Sequence, residues 1–140
     1  MLCAMSIPAF AAEWSMSYGI DAVHGESSKV IFLERHSKNY TLYGSVLSGK
    51  IFDDRKAYAL GGEYILKSKS KRFIFGGGLV YLSETNEVNG TKLNFSFSAR
   101  YVLNENWSLF YRHWSHGRQL GIKEDKENDG WNFLGIERRF

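Results

Sequence analysis

The chain has 140 residues, 44% of them hydrophobic and 16% aromatic, which gives it the length of one domain and far too much apolar character for a disordered protein. Its formal net charge is only +3, and the Lys and Arg residues are scattered or sit in apparent turns such as "KSKSKR" (67 to 72), so the composition argues against nucleic-acid binding. No uncharged run approaches the roughly 18 apolar residues that a membrane-spanning helix requires.

Residues 1 to 11 read as part of a secretory signal. The stretch "MLCAMSIPAFAA" is apolar, and Ala9-Phe10-Ala11 fits the small-x-small rule for cleavage before Ala12 or Glu13. Cleavage there would remove Cys3 and Pro8, the only cysteine and proline. A cysteine-free, proline-free remainder suits an oxidising compartment and an uninterrupted backbone ladder.

From residue 12 onward the chain reads as one domain of eight strands with period-two alternation: Trp14–Val23, Lys29–Arg35, Tyr40–Ile51, Ala57–Leu66, Arg72–Ser83, Leu93–Leu103, Trp107–Ser115 and Trp131–Phe140. The sixth, "LNFSFSARYVL", is the plainest. Leu93, Phe95, Phe97, Ala99, Tyr101 and Leu103 fall on one side, and Asn94, Ser96, Ser98 and Arg100 on the other. Turn-like clusters separate the strands, and the last connection, 116 to 130, is the longest.

An eight-stranded antiparallel barrel turns its apolar face inward if it is a soluble carrier of the lipocalin kind, and outward if it spans a membrane. Here the sets Ser15, Ser17, Gly19, Asp21 and Asn94, Ser96, Ser98, Arg100 suit a narrow lumen filled with polar and small side chains. Aromatics near segment ends, namely Trp14, Tyr40, Tyr101, Trp107, Trp131 and Phe140, suit girdles at two lipid interfaces. The expected fold is therefore an all-β, eight-stranded antiparallel up-and-down transmembrane barrel of the bacterial outer membrane. Arg100 and Arg112 should face the lumen, with Asp21 or Glu63 as partners. His24, His36 and His116 fall in turns without metal-ligand spacing and read as solvent-exposed.

With both termini on the periplasmic side, strand seven runs outward. His113 and Ser115 then share the lipid-facing side of Trp107, Leu109 and Tyr111 at the outer end of that strand. A titratable side chain on such a surface is costly and therefore a functional candidate. Residues i and i+2 of a strand lie about 6–7 Å apart, within reach for an imidazole to take a serine proton. Counting back from Phe140 puts Asn132 on the same side of strand eight, where its amide oxygen can orient His113.

"HWS", a loop containing "NDG" and a final aromatic strand resemble the PagL lipid A 3-O-deacylases over Arg112 to Phe140. That resemblance implies a serine esterase acting on the 3-linked acyl chain of lipid A, with Ser115 as nucleophile, His113 as base and no metal or other cofactor. Lipopolysaccharide is the implied partner, nucleic acid is not, and a homodimer is left open. His-x-Ser in the family is typically followed by an Asn that helps form the oxyanion hole. Here His116 and Gly117 follow and take that place. Matching the "NDG" turn puts the family's acidic third member at Asn132, whereas counting from the serine without a gap puts it at Glu127, with Glu124 a further candidate. Arg118 and Lys123 could meet lipid A phosphates or sugars. A non-catalytic small barrel serving adhesion or wall stability is the rival reading.

Overall fold

The computed structural model describes residues 13–23, 25–53, 55–85, 90–115 and 130–140. Its strands are β1 (Glu13–Asp21), β2 (Gly25–His36), β3 (Tyr40–Ser48), β4 (Lys56–Lys67), β5 (Phe73–Leu82), β6 (Leu93–Val102), β7 (Trp107–Ser115) and β8 (Trp131–Arg139). Each pairs antiparallel with the next, and β8 closes on β1 through Ser15↔Arg139 to Asp21↔Phe133. Closure leaves no free sheet edge, so every strand finds its backbone partners within the sheet, as a lipid environment demands. The proposed signal at 1–11 lies outside the described residues.

Alternation along each strand sorts the side chains as the sequence predicts. Met16, Ile20, Ile31, Leu33, Leu60, Leu79, Leu109 and Ile136 are exposed on the outer wall. Ser15, Ser17, Asp21, Asn94, Ser96, Ser98, Arg100 and Arg112 are buried inside. A large apolar exterior around a polar interior is the inverse of a soluble barrel.

The interior has two zones. Toward the end that carries residues 13 and 140, three arginines meet three glutamates. Arg112 pairs with Glu34 (3.0 Å) and Glu63 (3.1 Å), Arg100 with Glu34 and with Glu137 (2.7 Å), and Arg139 with Glu137 (3.2 Å). Of the two expected partners the arginines take Glu63, joined by Glu34 and Glu137, while Asp21 Oδ1 accepts the Val23 N–H at 3.0 Å. Ser96 and Ser98 donate to the two Glu63 oxygens, and Ser17 donates to Glu34. Each buried charge is paired and hydrogen-bonded, which offsets the cost of removing it from water.

The opposite zone departs from a lumen of small and polar residues. Phe32, Tyr43, Phe110, Trp114, Trp131 and Phe133 form a packed aromatic plug, with Phe32 edge-on to Tyr43, Phe110, Trp114 and Phe133 at 5.6–5.8 Å. The Arg112 guanidinium lies 4.1 Å from the Tyr43 ring centroid and 4.5 Å from that of Phe32, joining the two zones. Trp131, expected in an interfacial girdle, is fully buried and stacks on Phe52 at 5.6 Å and Phe133 at 5.7 Å. Its parity, opposite to that of Phe140, sends it inward.

β3 ends at Ser48, short of the expected Ile51, because the chain turns into a 3₁₀ segment, Lys50–Phe52, between Gly49 at φ 148° and Asp53 at φ 50°. The turn drops Phe52 into the plug. His36 is likewise not a solvent-exposed turn residue. It ends β2 facing inward, its side chain 12% exposed, with Nε2 2.7 Å from Ser15 Oγ and 3.4 Å from Glu137, and Nδ1 3.0 Å from Thr41 Oγ1. His24 and His116 lie outside the described residues.

Candidate functional site

On the lipid-facing wall most outward side chains are apolar, which makes one polar cluster conspicuous. β7 carries Tyr111, His113 and Ser115 outward, and β8 brings Asn132 opposite His113 in register. His113 Nδ1 lies 2.9 Å from Asn132 Oδ1, and the Tyr111 hydroxyl donates to that same oxygen at 2.8 Å. An amide oxygen has no proton to give, so His113 Nδ1 is the donor in this bond, and in the neutral ring the lone pair is then on Nε2. That is the tautomer a general base needs.

Ser115 follows two residues on, on the same side of β7 and half-buried like His113. Among the described residues no hydrogen bond joins its hydroxyl to the ring, leaving both groups available at the end of the strand. Neighbouring strands supply the flanks. Phe97 and Phe95 of β6 pair with His113 and Ser115 and are exposed, giving one aromatic side to the cluster. On the other side, Gly130 at φ 66° lets the chain enter β8 directly against the imidazole: a Cβ there would sit 2.9 Å from His113 Cε1 and 2.8 Å from Trp114 O.

The geometry therefore brings together His113, Asn132 and Ser115 on one face. His116, Gly117, Arg118, Lys123, Glu124 and Glu127 lie outside the described residues. Tyr111, Gly130 and the two phenylalanines were missed at the sequence level, although the parity that places His113 outward also places Tyr111, and strand order brings β6 alongside. Among the described residues no three His, Cys, Asp or Glu side chains gather as metal ligands.

A second concavity, of about 550 Å³, opens at the terminal end of the lumen and is lined by His36, Tyr40, Thr41, Ile65, Arg100 and Arg139, among others. Arg100 and Arg139 of the salt-bridge zone form its floor, and the plug lies beyond that zone. An eight-stranded barrel is only wide enough for its side chains to fill, and the plugged interior accords with that limit.

No family model matches the chain, and no curated protein does. Solved structures do. The chain is similar to a de novo designed transmembrane β-barrel, with a TM-score of 0.55 and 13% identity, covering 91% of this chain and 93% of that one. It is also similar to the Yersinia pestis outer membrane protein Ail, solved in a phospholipid bilayer nanodisc, with a TM-score of 0.51 and 14% identity, covering 92% and 99%. The chain has the eight-stranded outer-membrane-type barrel fold.

Proposed function

We propose that this barrel resides in the bacterial outer membrane and is a lipid A deacylase, a serine esterase that hydrolyses the 3-O-linked acyl chain of lipopolysaccharide in the outer leaflet. The observation that carries the reading is the outward-facing histidine held by Asn132 in the base tautomer, with Ser115 two residues further along the same face. The resemblance of Arg112 to Phe140 to the PagL deacylases supplies the substrate.

In the first step Ser115 Oγ attacks the ester carbonyl carbon while its proton passes to His113 Nε2. The negative charge collects on the carbonyl oxygen, for which the segment after Ser115, with His116 and Gly117, would provide donors. Collapse breaks the bond to the sugar 3-oxygen, which takes the proton from His113. Water, deprotonated in turn by His113, then cleaves the acyl-serine and frees a 3-hydroxy fatty acid. Asn132 orients the ring throughout. Phe95 and Phe97 offer an apolar flank for the departing chain.

The reading is tested by incubating the purified, folded barrel with lipopolysaccharide in detergent and measuring the free 3-hydroxy fatty acid. Release by the wild-type protein and none by Ser115→Ala is expected. Equal release by both proteins, or none by either, would favour the non-catalytic barrel.

A further inference from the structure

The outer wall carries a second feature, over β2, β3 and β4. A groove of about 810 Å³ runs there between Leu33, Leu42 and Leu60, floored by Gly44, with Arg35 and Trp14 at its terminal end. Gly44 pairs with Leu33 on one side and Leu60 on the other, so the missing side chain leaves a trough between two leucines. Its lining is mainly apolar, with Arg35 at the terminal end and Ser45 and Tyr58 toward the other. From Arg35 to Ile31 the groove follows four residues of β2, about 13 Å at strand rise. With strands tilted by roughly 35–45°, that is about 10 Å along the bilayer normal, within the roughly 15 Å hydrocarbon depth of one leaflet.

Charge is distributed unequally along the barrel. The rim of the terminal end carries seven basic residues, Arg35, Lys38, four within 67–72 and Arg138, against two acids, Glu13 and Glu105, while Arg139 is paired with Glu137 in the interior. Several of these bases sit beside interfacial aromatics. Arg35 pairs in register with Trp14, Arg138 lies 5.6 Å from the Trp107 ring centroid, and Arg72 Nη1 is 3.5 Å from the Tyr101 hydroxyl. Arg35 itself forms no ion pair among the described residues, so its planar fork is open to a phosphate.

We propose that this groove is a binding site for one acidic phospholipid of the inner leaflet, with the phosphate on Arg35 and an acyl chain lying over Gly44. An apolar trough that lies within one leaflet and ends in a guanidinium with no ion pair among the described residues matches the headgroup and upper acyl chain of a phospholipid. The basic rim around it favours a headgroup with net negative charge. A soluble anionic polymer would have no use for the trough. The site stands three strands from His113 and does not depend on the esterase reading.

The experiment reconstitutes the whole barrel in phosphatidylcholine vesicles containing a minor fraction of phosphatidylglycerol with a diazirine in its acyl chain. After photolysis, the labelled residues are mapped by mass spectrometry. Labelling is expected to concentrate on β2 to β4, around Leu33 and Leu60, and to fall to the level of the rest of the wall in Arg35→Gln and in Gly44→Leu. A Cβ at Gly44 meets only Leu60 Cδ2, at 3.5 Å, so the leucine fills the groove without displacing backbone. Heat-shifted migration on gels verifies that each variant is folded, and Arg35→Gln, at an exposed strand end, serves as the independent variant. Uniform labelling around the wild-type barrel would overturn the proposal. So would concentrated labelling that survives both substitutions, or that responds to Arg35→Gln alone, since either would leave no role for the groove.

Discussion

His113 and Asn132 face each other across the β7–β8 seam, 2.9 Å from ring nitrogen to amide oxygen, on a wall otherwise made for lipid. The pair fixes a proton on Nδ1 and leaves Nε2 beside Gly130 at the start of β8. Asn132→Ala should therefore lower esterase activity by about 10²-fold or more, the usual contribution of a positioned base. Tyr111→Phe removes only a second donor to the same oxygen and should cost less than about tenfold, the worth of one ordinary hydrogen bond. Initial rates of fatty-acid release compare the two. A larger loss in Tyr111→Phe than in Asn132→Ala would move the orienting role away from Asn132.

Gly130→Ala is expected to damage the site through contact. The added methyl would press on His113 Cε1 and Trp114 O and would strain a backbone at φ 66°. Activity should drop clearly while the barrel keeps its heat-shifted migration. An alanine variant with unaltered activity would mean that the ring position is not critical.

Inside the barrel, Arg112 answers two carboxylates. Arg112→Leu leaves Glu63 without a cationic partner and Glu34 with Arg100 alone, and should cost about 3–5 kcal/mol in urea unfolding from lipid vesicles. Met16→Arg tests the opposite face: a charge placed on the exposed, lipid-facing wall should cost roughly 2–4 kcal/mol if Met16 lies near mid-bilayer. Stability unaffected by both substitutions would contradict the assignment of inside and outside.

Trp131 provides a separate check on the plug. Buried between Phe52 and Phe133, it should cost about 3–5 kcal/mol when replaced by alanine. A tryptophan in an interfacial girdle would give a much smaller change. Trp107→Ala, at the exposed interface, is the matched comparison.

Period-two alternation made the strands and their two faces legible, and with them the inward Arg100 and Arg112 and the outward His113, Ser115 and Asn132. Two things escaped it. Trp131 sits at a strand end, where an aromatic suits either a girdle or a plug, and only parity within β8 separates the two. His36 follows a strand and opens the polar run "HSKN", which reads as a turn, yet β2 extends one residue further and buries the ring against Ser15 and Thr41. Alternation says which side a residue takes, not how far a strand runs or what fills the lumen. The aromatic plug depends on contacts between strands far apart in sequence, such as Phe32 with Trp114.

Mass spectrometry of lipid A from cells that express the wild-type barrel, Ser115→Ala or His113→Ala bears most directly on the central claim. The wild-type culture should lose one 3-hydroxy acyl chain from lipid A, and both variants should leave it intact while remaining folded in the outer membrane, because loss of nucleophile or base removes several orders of magnitude in rate. Unmodified lipid A beside a well-inserted wild-type barrel, or deacylation that persists in Ser115→Ala, would contradict the account.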